Sequence, residues 1–228
     1  MPEHTGWLLD IYAEPQGGLA LWLLGEDGVR HHLHQDFPVT FYASGPDERL
    51  RQLWKYLQAQ EAAIELQRTE RRDLFQPQPL TVLAVQVKQP AEQPPLFYRA
   101  ANTFPELTFY DADIPPALRH AALHNTFPLA HCRVQADEHG KLESLQVLDS
   151  PWELDPPPPP LRVLALQPDV DPAHAEPRYV LVNGKRLACR LSLEHPRPLL
   201  VNLRAILAEQ DPDLLVTNWG DTWLLPKL

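Results

Sequence analysis

Cysteine is nearly absent. Cys132 and Cys189 stand far apart without a CxxC spacing, which excludes a disulfide framework and a thiolate zinc site. No apolar run approaches the roughly 18 residues that a membrane-spanning helix needs, and no basic-then-apolar leader opens the chain. No membrane partner is therefore expected, and a cytoplasmic setting is the default. Positive charge is also scarce: 20 Lys and Arg face 30 Asp and Glu, a net charge of -10. Such a balance does not advertise a nucleic-acid binder, because phosphate neutralisation needs a clustered positive surface. Glycine is sparse at 9 residues, whereas proline reaches 26, so turns and stiff segments dominate the punctuation.

What remains suits a folded protein. Hydrophobic residues make up 44 % and charged residues 22 % of 228 positions, near the averages for soluble domains. A chain of this length buries roughly 70 % of its unfolded surface, enough for one large or two small domains. The prolines are densest at Pro156 to Pro160, a run that enters neither helix nor central strand and adopts a polyproline II rod. We place a linker at 156–160, between domains at 1–155 and 161–228. The run lacks a flanking basic residue, so a spacer is the preferred reading over a ligand for a partner's aromatic groove.

Before the linker, Trp7 to Ala13, Leu19 to Leu24 and Val29 to Leu33 read as strands of an antiparallel meander, separated by Gly17-Gly18 and Glu26-Asp27-Gly28. Leu50, Leu53, Trp54 and Leu57 recur at helical spacing within Asp47 to Gln60, with Ser44 and Asp47 offering a capping box. Strands are expected at Ala63 to Arg68 and Leu80 to Val87. A second helix is expected from Pro116 to His124, with Asp113 as its cap. A hairpin follows at His131 to Ala136 and Leu142 to Leu148. After the linker come a buried strand at Arg162 to Leu166, a hairpin around Asn183-Gly184, a helix at Leu199 to Glu209 and a strand at Leu214 to Val216. The fold class is thus α+β to mixed α/β.

The candidates for chemistry begin with carboxylates. Two-metal phosphodiester cleavage needs several of them converging from different elements. The strand end Leu166-Gln167-Pro168-Asp169, with Asp171 two residues on, offers one well-placed aspartate beside a neutral amide, which is a weak ligand for a hard cation. Arg49, Arg51 and Lys55 decorate the first helix, and Arg68, Arg71 and Arg72 form a basic patch after it; these six are the DNA-binding candidates. His32 and His34 share one strand face and could hold a metal, but no second ligand cluster is visible in the sequence, and no metal site is assigned. Ser144, Ser150 and Ser192 lack a nucleophile elbow. Trp22 and Trp54 suit core packing, whereas Phe109 and Tyr110 could stack bases.

Two blocks carry a resemblance. Phe104-Pro-Glu-Leu-Thr-Phe-Tyr-Asp-Ala-Asp-Ile-Pro115, followed by Arg119 and Phe127-Pro-Leu129, resembles the end of the N-terminal domain of family B DNA polymerases. Arg162-Val-Leu-Ala-Leu-Gln-Pro-Asp169 and Asp211-Pro-Asp-Leu-Leu-Val-Thr-Asn-Trp-Gly-Asp-Thr-Trp-Leu-Leu-Pro-Lys-Leu228 resemble the start of their 3'-5' exonuclease domain. The resemblance implies an antiparallel-sheet N-terminal domain followed by a partial, ribonuclease H-like exonuclease domain. The family's first exonuclease motif, Asp-Ile-Glu, is matched here by Gln167-Pro168-Asp169, and the Phe-Asp pair of its second motif by Trp223-Leu224. Both metal-binding aspartates are thus replaced, and no catalytic residue is expected. Palm, fingers and thumb would lie beyond Leu228, so the chain reads as a non-catalytic N-terminal fragment of a polymerase of DNA replication or repair. Its role would be architectural, framing the DNA template or primer-template, and it needs no cofactor of its own; Mg2+ would belong to the parent enzyme. Two alternatives stand beside this: a metal-dependent exonuclease using the shifted set Asp169, Asp171 and Asp221, and a protein-interaction module.

Overall fold

A computed structural model describes residues 2–75 and 77–228, which divide into two compact units, 1–159 and 160–228. The described residues contain no helix long and apolar enough to cross a membrane.

The first unit is built from two antiparallel sheets around one core. In one, β1 (Glu3–Ala13), β2 (Leu19–Gly25) and β3 (Arg30–Gln35) form the expected meander. β4 (Val39–Ser44) then leaves for the other sheet, and the later hairpin β8 (His131–Ala136) and β9 (Leu142–Val147) pairs with β1, giving the order β3-β2-β1-β8-β9. The edges of this sheet approach each other: His34 N–H donates to Gly140 O at 2.9 Å, and His34 bridges Lys141. Gly140 has φ +81°, and a Cβ there would sit 2.9 Å from His32 O, so only glycine permits this approach.

The second sheet runs β5-β6-β4-β7, with β5 (Ile64–Arg72), β6 (Pro79–Val87) and β7 (Thr108–Tyr110). β4 alternates buried and half-buried residues along its length, the period of a strand with one covered face. Helix α1 (Asp47–Gln58) buries Leu50, Leu53 and Leu57 and carries Asp47 and Glu48 in its first turn and Lys55 in its last, the arrangement the helix dipole favours. Its N-cap is Pro46, without a side-chain cap. Ser44 is instead the last residue of β4, where its hydroxyl donates to Tyr110 Oη at 3.4 Å, so the expected capping box does not form. Two further helices are α2 (Gln93–Thr103) and α3 (Pro116–His124). Pro115, not Asp113, caps α3, its carbonyl accepting from Leu118 and Arg119 N–H.

The second unit is smaller. β10 (Val163–Pro168), β11 (Tyr179–Gly184) and β12 (Leu187–Ser192) form an antiparallel meander, α4 (Pro196–Gln210) crosses back, and β13 (Leu214–Thr217) pairs with β10 in parallel, giving the order β12-β11-β10-β13. Its core holds Leu164, Leu166, Val180, Val182, Leu191, Leu199, Leu203 and Leu224. Arg162 clamps the start of the β10–β13 pair: its backbone N–H and guanidinium both reach Asp213, at 2.7–3.1 Å, and a further bond at 2.8 Å reaches Asp211.

Candidate functional site

The parallel pairing of β10 and β13 decides what lies at their carboxyl ends. Leu166 is opposite Thr217, and Asn218 N–H donates to Leu166 O at 3.2 Å. Gln167 and Asn218 therefore stand side by side, and Asn218 Nδ2 donates to Gln167 Oε1 at 3.1 Å. One neutral amide donates to another there. A left-handed Trp219 (φ 58°) then turns the chain into a π-helical turn, Gly220–Leu224. A Cβ at Gly220 would meet Thr217 Oγ1 at 2.1 Å, so a side chain at 220 requires Thr217 to move. Leu224 N–H donates to Trp219 O at 2.8 Å, and the side chain is swallowed by the core, fully buried.

The nearby carboxylates are engaged elsewhere. Asp169 accepts backbone N–H bonds from Arg178 and Tyr179 at 3.0 and 3.2 Å, closing the loop between β10 and β11. Asp171 accepts from Ala173 N–H and pairs with His174 Nδ1, both at 2.8 Å, and these bonds hold its carboxyl below the usual range. Asp221 is exposed on the π-helical turn. The structure does not bring Asp169, Asp171 and Asp221 into one ion-sized cluster. A two-metal site does not fit the residues present: Gln167 and Leu224 offer no carboxylate, Asp169 and Asp171 accept backbone N–H bonds, and no ion-sized cluster joins them to Asp221.

The six basic candidates do not form a single patch. Arg71 and Arg72 extend β5 beyond its expected end, and strand alternation puts Arg68 and Arg71 on opposite faces. Arg68 turns to the α1 side, where it bonds Asp47 at 2.8 Å. Arg71 lies on the other face, its guanidinium 5.3 Å from the Tyr42 ring centroid. Arg49 is committed to Glu106. The structure instead brings Arg51, Lys55 and Arg68 around a hollow of about 360 Å³ floored by Leu50, Trp54 and Leu83. A second hollow, of about 400 Å³, gathers Arg71 and Arg72 with Tyr42, Phe75 and Tyr110. Phe109 packs against Phe97 and Phe41 and is not free to stack bases. Trp22, expected in the core, is half-buried and stacks on His32 with centroids 4.5 Å apart.

One grouping escaped the sequence reading. Among the described residues, only Glu14, His32 and His34 bring three His, Cys, Asp or Glu ligand atoms within 4.8 Å of one another. The His-x-His spacing was visible, but its acidic partner lies in the turn after β1, 18 to 20 positions away.

No family model matches the chain, and no curated protein matches it either. Among solved structures, it is similar to the family B DNA polymerase from the hyperthermophilic archaeon Pyrobaculum calidifontis, with TM-score 0.67 and 23 % identity. The match covers 98 % of this chain and 31 % of that one, so this sequence spans about a third of the polymerase's length. The chain therefore shares its fold with a portion of a family B DNA polymerase.

Proposed function

We propose that the chain is the N-terminal part of a family B polymerase-type protein of DNA replication or repair, acting in the cytoplasm. It frames the nucleic acid without cutting it. One observation carries the non-catalytic half of this reading: Gln167, whose side-chain oxygen accepts from Asn218 at 3.1 Å, and the buried Leu224 stand at the two positions where the resemblance calls for metal-binding aspartates. An amide offers a dipole and no charge, and leucine offers no ligand, so divalent cations find too little negative charge to be held. The DNA-framing half is supported by the fold match and by the hollow where Arg51, Lys55 and Arg68 converge over Trp54. Cations over an aromatic floor suit a single strand, whose phosphates and bases they engage together.

The test is direct. Incubated with labelled single-stranded DNA and Mg2+ or Mn2+, the chain leaves the substrate intact, and Asp169→Ala and Asp221→Ala behave alike. Digestion that disappears in either variant overturns the reading and favours the shifted carboxylate set.

A further inference from the structure

We propose that Glu14, His32 and His34 form a binding site for a single zinc-class transition-metal dication on the first unit, apart from any polymerase or nuclease chemistry. His32 and His34 are alternate residues of β3 and share a face. Between them and β1 lies β2, which presents Ala20 opposite both His34 and Tyr12. The small Ala20 side chain leaves room for a carboxylate to reach across. Glu14 supplies it from the turn that Gly17 and Gly18 close, with Gly17 N–H donating to Glu14 O at 3.1 Å and Glu14 N–H to Gly18 O at 3.2 Å. Each carboxylate oxygen meets a different imidazole: Oε1 lies 3.3 Å from His32 Nε2 and Oε2 lies 2.8 Å from His34 Nδ1.

An ordinary His–Glu ion pair explains only part of this. His34 and Glu14 already satisfy each other with a hydrogen bond. His32 Nε2 makes none, although it is shut off from solvent. Trp22 holds that ring in place by stacking on it, and the carboxylate it faces is only 12 % exposed. A buried, aimed and unbonded imidazole nitrogen beside a carboxylate is costly unless something lies between them. A zinc ion does so: with metal–ligand bonds of about 2.0–2.1 Å, a tetrahedron has edges of about 3.3 Å, the separation seen for the His32–Glu14 pair. The backbone of His34 is pinned by its bond to Gly140, so the site is largely assembled before the ion arrives.

The donor set selects the metal. Two imidazoles and one carboxylate suit zinc and its first-row neighbours, whereas Ca2+ and Mg2+ want oxygen ligands throughout. Binding requires His32 to coordinate through Nε2 and His34 through Nδ1, each ring carrying its proton on the other nitrogen.

Calorimetric titration of the full chain with ZnCl2 tests this, with Co2+ absorption reporting the ligand geometry. The expected result is one saturable site per chain and tetrahedral Co2+ bands that zinc displaces. Glu14→Gln and His32→Asn should each weaken binding by at least about 100-fold with an unchanged circular dichroism spectrum. His174→Asn, which removes an exposed His–Asp pair elsewhere, should bind as the unaltered chain does. Absence of a saturable site, or a site whose affinity survives both substitutions in the triad, overturns the proposal.

Discussion

His120 is a single residue whose surroundings set a pH dependence for the whole first unit. It is fully buried on α3, with Nδ1 2.8 Å from Thr126 Oγ1 and Nε2 2.9 Å from Gln35 Oε1. Gln35 Nε2 in turn lies 3.3 Å from His124 Nε2. A consistent set of roles has Thr126 donating to a neutral His120, His120 donating to the Gln35 carbonyl and the Gln35 amide donating to His124. Burial, with His124 adding like-charge repulsion, pushes the His120 pKa down to about 4 from 6.5. Between these two values the unfolded chain binds the proton more readily, so stability rises with pH through the window and falls on acidification from about 6.5 to about 4. The loss is a few kcal/mol at most. Thermal melts across this window should show the midpoint dropping, and His120→Gln should flatten that slope while lowering stability at pH 7. An unchanged slope in the variant sinks the assignment. Cys132, also buried, has its thiol pushed up to about 12, so it packs as a small hydrophobe and takes no part in redox chemistry.

At the scale of elements, the β10–β13 pair depends on one cation. The Asp213 side chain is 1 % exposed, and Arg162 gives it both guanidinium and backbone donors. Asp213 N–H returns a bond to Arg162 O at 2.8 Å, so the clamp sets the register at which Gln167 later meets Asn218. Arg162→Ala removes the guanidinium from a buried carboxylate while keeping the backbone N–H bond, and should destabilise the second unit by about 1–3 kcal/mol, toward the lower end because Arg162 is 45 % exposed and screened by solvent. Denaturant melts followed by Trp219 and Trp223 fluorescence would measure it, and a change below about 0.5 kcal/mol would show the clamp to be decorative.

The elements also show where periodicity was a sufficient guide. Helix α1 was legible because Leu50, Leu53, Trp54 and Leu57 mark one face, and the β11–β12 hairpin because Asn183-Gly184 permits little else. β4 has a short alternation that ends against Gly45 and Pro46, and its last residue, Ser44, is the one the sequence offers as a helix cap. Helix α2 hid behind Pro94 and Pro95, although prolines in a first turn are compatible with a helix. The basic residues of β5 do not form one patch, because strand alternation puts Arg68 on the α1 side and Arg71 against Tyr42.

For the whole molecule, a net charge of -10 must be reconciled with the proposed nucleic-acid role. Any contact has to come from local convergence, and the largest gathering of cations around one hollow among the described residues is Arg51 and Lys55 on α1 with Arg68 on β5. Arg68 shares its charge with Asp47, and Arg51 lies 3.5 Å from Glu48, which weakens the field further. Single-strand binding through three phosphate contacts has a log–log salt slope of about -2, so affinity should fall roughly 20-fold between 50 and 200 mM salt. Arg51→Ala combined with Lys55→Ala should reduce that slope by about 1.4, as read by fluorescence anisotropy. A slope unaffected by the pair would place the contact elsewhere.

Local pattern was enough to separate strands from helices over most of the chain, because strand and helix periodicities follow from residue type and spacing alone. Long-range pairing was beyond it. That β1 takes β8 as its second neighbour, that Gln167 bonds Asn218, and that Glu14 reaches His32 and His34 across the small Ala20 are contacts between residues far apart in sequence. Strand register and loop closure choose such partners, and no periodicity within a short window records that choice.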